Sequence, residues 1–194
     1  MKTVKMIPLL LATFLAAPVF AQSTATEAQR DVNQQQRIEN GLKSGQLTTR
    51  EAAKLEREEA RVDHAEANAL KDGKLSAGEK ARIDKMQDKV SQDIHAEKTN
   101  AQTGNPDSKS SKRMQADVQR NVNQQQRIAN GVQSGALTNR EVGSLERGQA
   151  HVDRKEANAA ANGRIGVAEQ RSVQRSENRQ SARVYRKKHN AREK

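Results

Sequence analysis

The chain has 194 residues, a formal net charge of +11, charged side chains at 30%, aromatic ones at 2%, and no cysteine or tryptophan. That composition excludes disulfides, thiolate metal centres and a lipid-modified cysteine. Only 23 of the 173 residues from position 22 onward are Leu, Ile, Val or Phe, so a broad apolar core is not expected and any fold must come from narrow, regularly spaced contacts.

In chain order, residues 1–21 read as a secretory signal. Lys2 and Lys5 give a positive start, Ile7 to Ala17 an apolar run, and Val19-Phe20-Ala21 a small-residue cleavage site. The expected product is periplasmic or secreted, and no later run is long and apolar enough to span a bilayer. The rest is written twice. Asp31-Val-Asn-Gln-Gln-Gln-Arg-Ile returns as Asn121-Val-Asn-Gln-Gln-Gln-Arg-Ile, and 29–69 matches 119–159 at 27 of 41 positions. A repeat of this kind is one supersecondary unit used again. Helices are expected over about 27–43, 49–70 and 77–100, then about 117–133, 139–160 and 167–190. Leu55, Val62 and Ala69 recur every seven residues, and Ile83, Met86, Val90 and Ile94 share one helical stripe. The breaker-rich stretch around Pro106 reads as a linker. The expectation is therefore an all-α chain with two tandem repeats of about 90 residues, each a helical hairpin or three-helix module. Its parts are repeat 1 (22–104), a flexible linker (105–113) and repeat 2 (114–194) with a basic C-terminal helix.

A shorter echo, Asn-x4-Gly-x-(Leu/Ile)-x3-Glu, occurs at 40–51, 68–79, 130–141 and 158–169. Gly45, Gly73, Gly135 and Gly163 are placed to take the left-handed turn that ends a helix. Thr48, Ser76 and Thr138 are placed as N-caps, each with a Glu three residues on, whereas Gly166 offers no hydroxyl before Glu169. The spacing also resembles the exit half of an EF-hand loop, with Gly, an aliphatic and Glu in register. That resemblance implies calcium binding, with Asn68, Asp72, Ser76 and Glu79 as the best ligand set. Leu70 stands where a further ligand is needed, so it implies millimolar affinity or none. Capping alone accounts for the recurring residues.

Charge is lopsided: residues 22–105 carry 14 basic and 15 acidic groups, residues 106–194 carry 19 and 9. Arg171, Arg175, Arg179, Arg183, Arg186, Lys187, Lys188 and Arg192 concentrate the excess in the last helix. There the apolar stripe of the first copy is replaced by Val173, Ser176, Gln180 and Val184, which suggests a helix that has exchanged packing for charge. An anionic envelope polymer or an acidic protein is the partner this implies. Sequence-specific nucleic-acid recognition is not expected, since Tyr185 alone is available for stacking after the signal.

Catalytic motifs are missing. His64, His95, His151 and His189 form no metal-ligand spacing, and the acid pairs Asp63 with Glu66 and Asp153 with Glu156 read as solvated helix faces. The whole resembles the small, exported, all-helical proteins of Gram-negative bacteria, a resemblance that implies no activity. The expected role is non-enzymatic, in binding or structure at the cell envelope, with no resident cofactor. The alternative is an EF-hand-like weak calcium binder. The sequence sets no oligomeric state.

Overall fold

The computed structural model describes residues 19–190, all of them helix or short connection. Six α-helices run α1 Val19–Ser44, α2 Thr49–Ala69, α3 Ala77–Thr99, α4 Lys109–Gln133, α5 Asn139–Ala159 and α6 Val167–Lys188, with one 3-10 turn over Leu70–Asp72. Most of the expected signal lies outside the described residues; its last three residues, 19–21, open α1. Arg192 lies outside them too.

The turns form as their residues dictate. Gly45, Gly73, Gly135 and Gly163 have φ of 75°, 86°, 68° and 81°, where a Cβ is penalised. Thr48, Ser76 and Thr138 close reciprocal capping boxes with Glu51, Glu79 and Glu141. At the fourth turn only half the box remains, the Gly166 N–H donating to Glu169 Oε2 at 2.7 Å. The α4 helix begins at Lys109 rather than near 117, because Ser108 caps it through the Ser111 N–H at 3.1 Å.

Helices of the two copies pack on one another rather than within separate modules. The α2 helix lies along α5 and α1 along α4, while α3 leans on α1 and α2, and α6 on α4 and α5. A small cluster joins Ala28 and Val32 to Ala129, and the two larger apolar clusters also draw on both copies. One joins Ile38, Leu42, Leu55 and Ile94 to Met114, Val118 and Ile165; the other joins Leu70, Leu75 and Ile83 to Ile128, Leu137, Leu145 and Val184. Leu55 and Leu70 lie near opposite ends of α2, so two small cores cap the two ends of the bundle. Polar ties run across in matched pairs: the Arg50 guanidinium donates to the Asn162 carbonyl at 3.3 Å, and that of Arg140 to the Asp72 carbonyl at 3.2 Å. Arg37 and Arg127 each clamp a serine of the flanking helix, Ser91 and Ser181.

Two expectations change here. The segment expected to be a flexible linker is tied down: the Gly104 N–H donates to the Gly45 carbonyl at 2.8 Å, and Gln115 donates to the Pro106 carbonyl at 2.9 Å. The α6 helix keeps its packing, because Val173, Ser176, Gln180 and Val184 are all buried. Polar groups serve there because they find partners, Gln180 across the contact at the Leu145 carbonyl, 2.8 Å away, and Ser176 within α6 at Arg179, 3.0 Å away.

A paired substitution tests the pinned connection. A Cβ on Gly104 would run into the Leu47 carbonyl, whereas one on Gly78 meets nothing within 4 Å. Gly104→Ala is expected to lower the melting temperature by several degrees, and Gly78→Ala to raise stability by up to about 1 kcal/mol through helix propensity; thermal denaturation followed by circular dichroism reads both.

Candidate functional site

The middle of the α2–α5 contact is built from acids. Glu56, Glu59, Asp63 and Glu66 alternate three and four residues apart, the spacing that keeps one face of a helix on its partner. The same positions of α5 are Glu146, Gln149, Asp153 and Glu156. All eight are buried, as are Asp31 and Gln35 of α1 and Asn121 and Gln125 of α4. Asp63/Glu66 and Asp153/Glu156, read from sequence as solvated, are at most 3% exposed. The reason is tertiary: the face that looks polar on one helix is the face its repeat covers.

Two carboxylate clusters result. Asp31, Asp63, Glu66 and Glu146 bring one oxygen each to within 4.8 Å of one another, and Glu56, Asp153 and Glu156 do the same. Subtracting 90 from the α5 numbers, and adding 90 to the others, turns one set into the other, with Asn121 standing for Asp31. Asp63 lies beside Asp153 where the clusters meet, so that a charge on Asp153 opposes ionisation of Asp63. Two carboxyls that close are relieved by a proton or a cation between them.

Amides hold the acids in place. Gln87 Nε2 donates to Asp31 Oδ1 at 2.8 Å and Glu66 Oε1 at 3.2 Å. Gln125 Nε2 reaches Glu146 Oε2 at 3.1 Å and Asp63 Oδ1 at 3.4 Å. In the second cluster Asn121 Nδ2 donates to Glu156 Oε2 at 2.7 Å, Gln35 Nε2 to Glu56 Oε2 at 3.1 Å, and Gln149 Nε2 to Asp153 Oδ1 at 3.0 Å. Donors then run out. The second oxygens of Asp31, Asp63, Glu146, Glu56, Asp153 and Glu156 are buried with no hydrogen-bond donor, and so are the carbonyl oxygens of Gln35, Gln87, Gln125 and Gln149. None of the ion pairs among the described residues involves a carboxyl of either cluster.

Such a core disfavours charge on its acids. Burial, opposed by the Gln87 and Glu66 hydrogen bonds, pushes Asp31 up to about 7. Burial, opposed by Asp63 and Gln149, brings Asp153 to about 7 as well. Glu56, Asp63, Glu66, Glu146 and Glu156 are raised well above the carboxylate range by burial first and by neighbouring carboxylates next.

The residues singled out from sequence stand elsewhere. Asn68 pairs with His64, Asp72 accepts the Lys74 N–H at 2.8 Å in an Asx turn, and Ser76 and Glu79 spend their oxygens on the helix cap. On α6, Arg171, Arg175, Arg179 and Arg186 are exposed, Lys187 and Lys188 are half-buried, and Arg183 donates to the Ser144 carbonyl at 3.1 Å. Comparison with protein-family models, curated proteins and solved structures finds no match for this chain.

The raised carboxyls set a pH dependence. Between the unfolded aspartate value of about 3.9 and the folded values of about 7 for Asp31 and Asp153, the folded chain binds more protons than the unfolded one. Stability therefore falls as pH rises through that window. Chelator-treated protein is expected to melt at least about 5 °C higher at pH 5 than at pH 8, measured by calorimetry.

Proposed function

We propose that the protein is an exported, non-enzymatic cation-binding helical bundle, in which two repeat-built halves face each other and hold hard divalent cations in the paired carboxylate sites. The observation that carries this reading is the donor deficit: seven buried carboxyls, with no cationic side chain among them, at single-ion spacing. Oxygens on opposite sides of a calcium ion are about 5 Å apart at Ca–O distances of 2.3–2.6 Å, which fits oxygens within 4.8 Å of one another. A set with oxygen alone, lacking imidazole and thiolate, favours calcium, magnesium or manganese over zinc or copper. Compared with the EF-hand reading, the cation moves from the Asn68–Glu79 turn to the bundle centre.

The two sites differ at one ligand. Asp31 gives the first site four carboxyls, while Asn121 gives the second an amide that donates to Glu156 and, at 3.5 Å, to Glu56. Stronger binding at the first site follows. Calcium or manganese at about 100 times its dissociation constant should stabilise the fold by about 2.7 kcal/mol. Asp31→Asn should weaken the tighter site at least about tenfold while leaving or raising the melting temperature of the chelated protein, since it removes a buried charge. Calorimetric titration and melting, with and without chelator, measure both. If added cation leaves the melting temperature unchanged while acid raises it, protons hold the core and the cation reading fails.

A second reading is favoured by the exposed Arg171, Arg175, Arg179 and Arg186 along α6: contact with an anionic envelope polymer. Retention on heparin should weaken steeply as salt rises, because the screening length shrinks from about 10 Å at 0.1 M to about 3 Å at 1 M. Exchanging these four arginines for serine should abolish retention without changing helicity.

A further inference from the structure

The flank of the bundle where α3 meets α2 is open, and the equivalent flank where α6 meets α5 is closed. Two hollows of about 460 and 200 Å³ lie along the α2–α3 seam and share Arg61 and Met86. Their floor is apolar, with Ile83, Met86 and Val90 of α3 facing the alanines of α2. On the α5–α6 side the corresponding positions are Gly148 for Glu58, Ser176 for Met86 and Gln180 for Val90. Gln180 packs down onto α5 where a Cβ on Gly148 would collide with it, and Lys155 bonds to Ser172 at 3.3 Å. The first copy thus carries larger side chains that keep its seam apart.

Charge complements this groove. Arg61, Arg82 and Arg154 converge on the larger hollow from α2, α3 and α5, and none is in an ion pair among the described residues. Of the acids at the seam, Glu79 lines the larger hollow and spends Oε2 on the Ser76 cap, while Glu58 lines the smaller one. The Arg154 guanidinium also donates from Nε to the Ala150 carbonyl at 3.1 Å. Three guanidiniums outside those ion pairs, lying beside an apolar trough, match an anionic headgroup with a hydrocarbon tail, because the planar donor forks suit carboxylate or phosphate while the arginine stems extend the apolar wall.

We propose that the α2–α3 groove binds an anionic amphiphile, a single unbranched alkyl chain whose phosphate or carboxylate head sits on Arg61, Arg82 and Arg154 and whose chain lies along Ile83, Met86 and Val90. The site shares no residue with the carboxylate clusters, although Arg154 also acts on the neighbouring Asp153. The probe is decyl phosphate below its micelle concentration, titrated calorimetrically into the full chain, with inorganic phosphate and decanol as controls and decanoate to distinguish the two heads. Saturable one-to-one binding is expected, at least about tenfold tighter than either control. Arg82→Ser and Met86→Ser, which import the residues of the second copy, should each weaken it by about tenfold, and Arg154→Ser likewise, with unchanged circular dichroism. Arg171→Ser on α6 should have no effect. Equal binding of inorganic phosphate, an equal loss with Arg171→Ser, indifference to Arg82→Ser and Arg154→Ser, or no binding up to about 1 mM would each overturn the proposal.

Discussion

The rest of the structure depends on how carboxyl groups are accommodated between α2 and α5. An ionised carboxylate moved out of water without a partner carries a penalty of several kcal/mol, and here Glu56, Asp63, Glu146, Asp153 and Glu156 are wholly buried in one layer. Protons or cations have to compensate, and either one makes the helix pairing conditional. The apolar clusters above and below this layer are small, built on Leu55 and Ile165 at one end and Leu70 and Leu145 at the other. They leave little margin for an uncompensated centre. Folding and occupancy of the acid layer are therefore linked.

The repeated sequence supplies both sides of so polar a layer. A single copy offers Asp63 and Glu66 on one face of a helix; only the second copy brings Glu146 to them and places Asp153 against Asp63. The amides serve the same end. Gln125 of the second copy binds Asp63 of the first together with its own Glu146, so the halves are joined by polar bonds that have no use apart. Where the copies diverge, the differences are local and physical: Asn121 in place of Asp31 supplies a donor within the second cluster, and Gly148 with Gln180 closes a seam that Glu58 and Met86 hold open.

An acid stripe also confers specificity. Glu56, Glu59, Asp63 and Glu66 meet Glu146, Gln149, Asp153 and Glu156 with their amide partners in register. A slip by one helical turn would place carboxyls against apolar residues such as Leu55 or Leu70 and strip them of those amides. The matched arginine ties at the turns, Arg50 to Asn162 and Arg140 to Asp72, point to the same register from the ends of the bundle.

The sequence by itself determined the local structure: helices in their order, the four left-handed glycines and the capping boxes all follow from backbone sterics and hydrogen bonds within a few residues. It also exposed the 90-residue repeat. The acid layer was partly legible in the three-and-four spacing of Glu56, Glu59, Asp63 and Glu66 and its return in α5, but charged residues at that spacing have the same appearance on a solvated face. Only the tertiary structure decided which face the second copy covers. Burial is a property of what lies across the contact, and the contact between α2 and α5 joins residues 90 positions apart, beyond the reach of any local pattern.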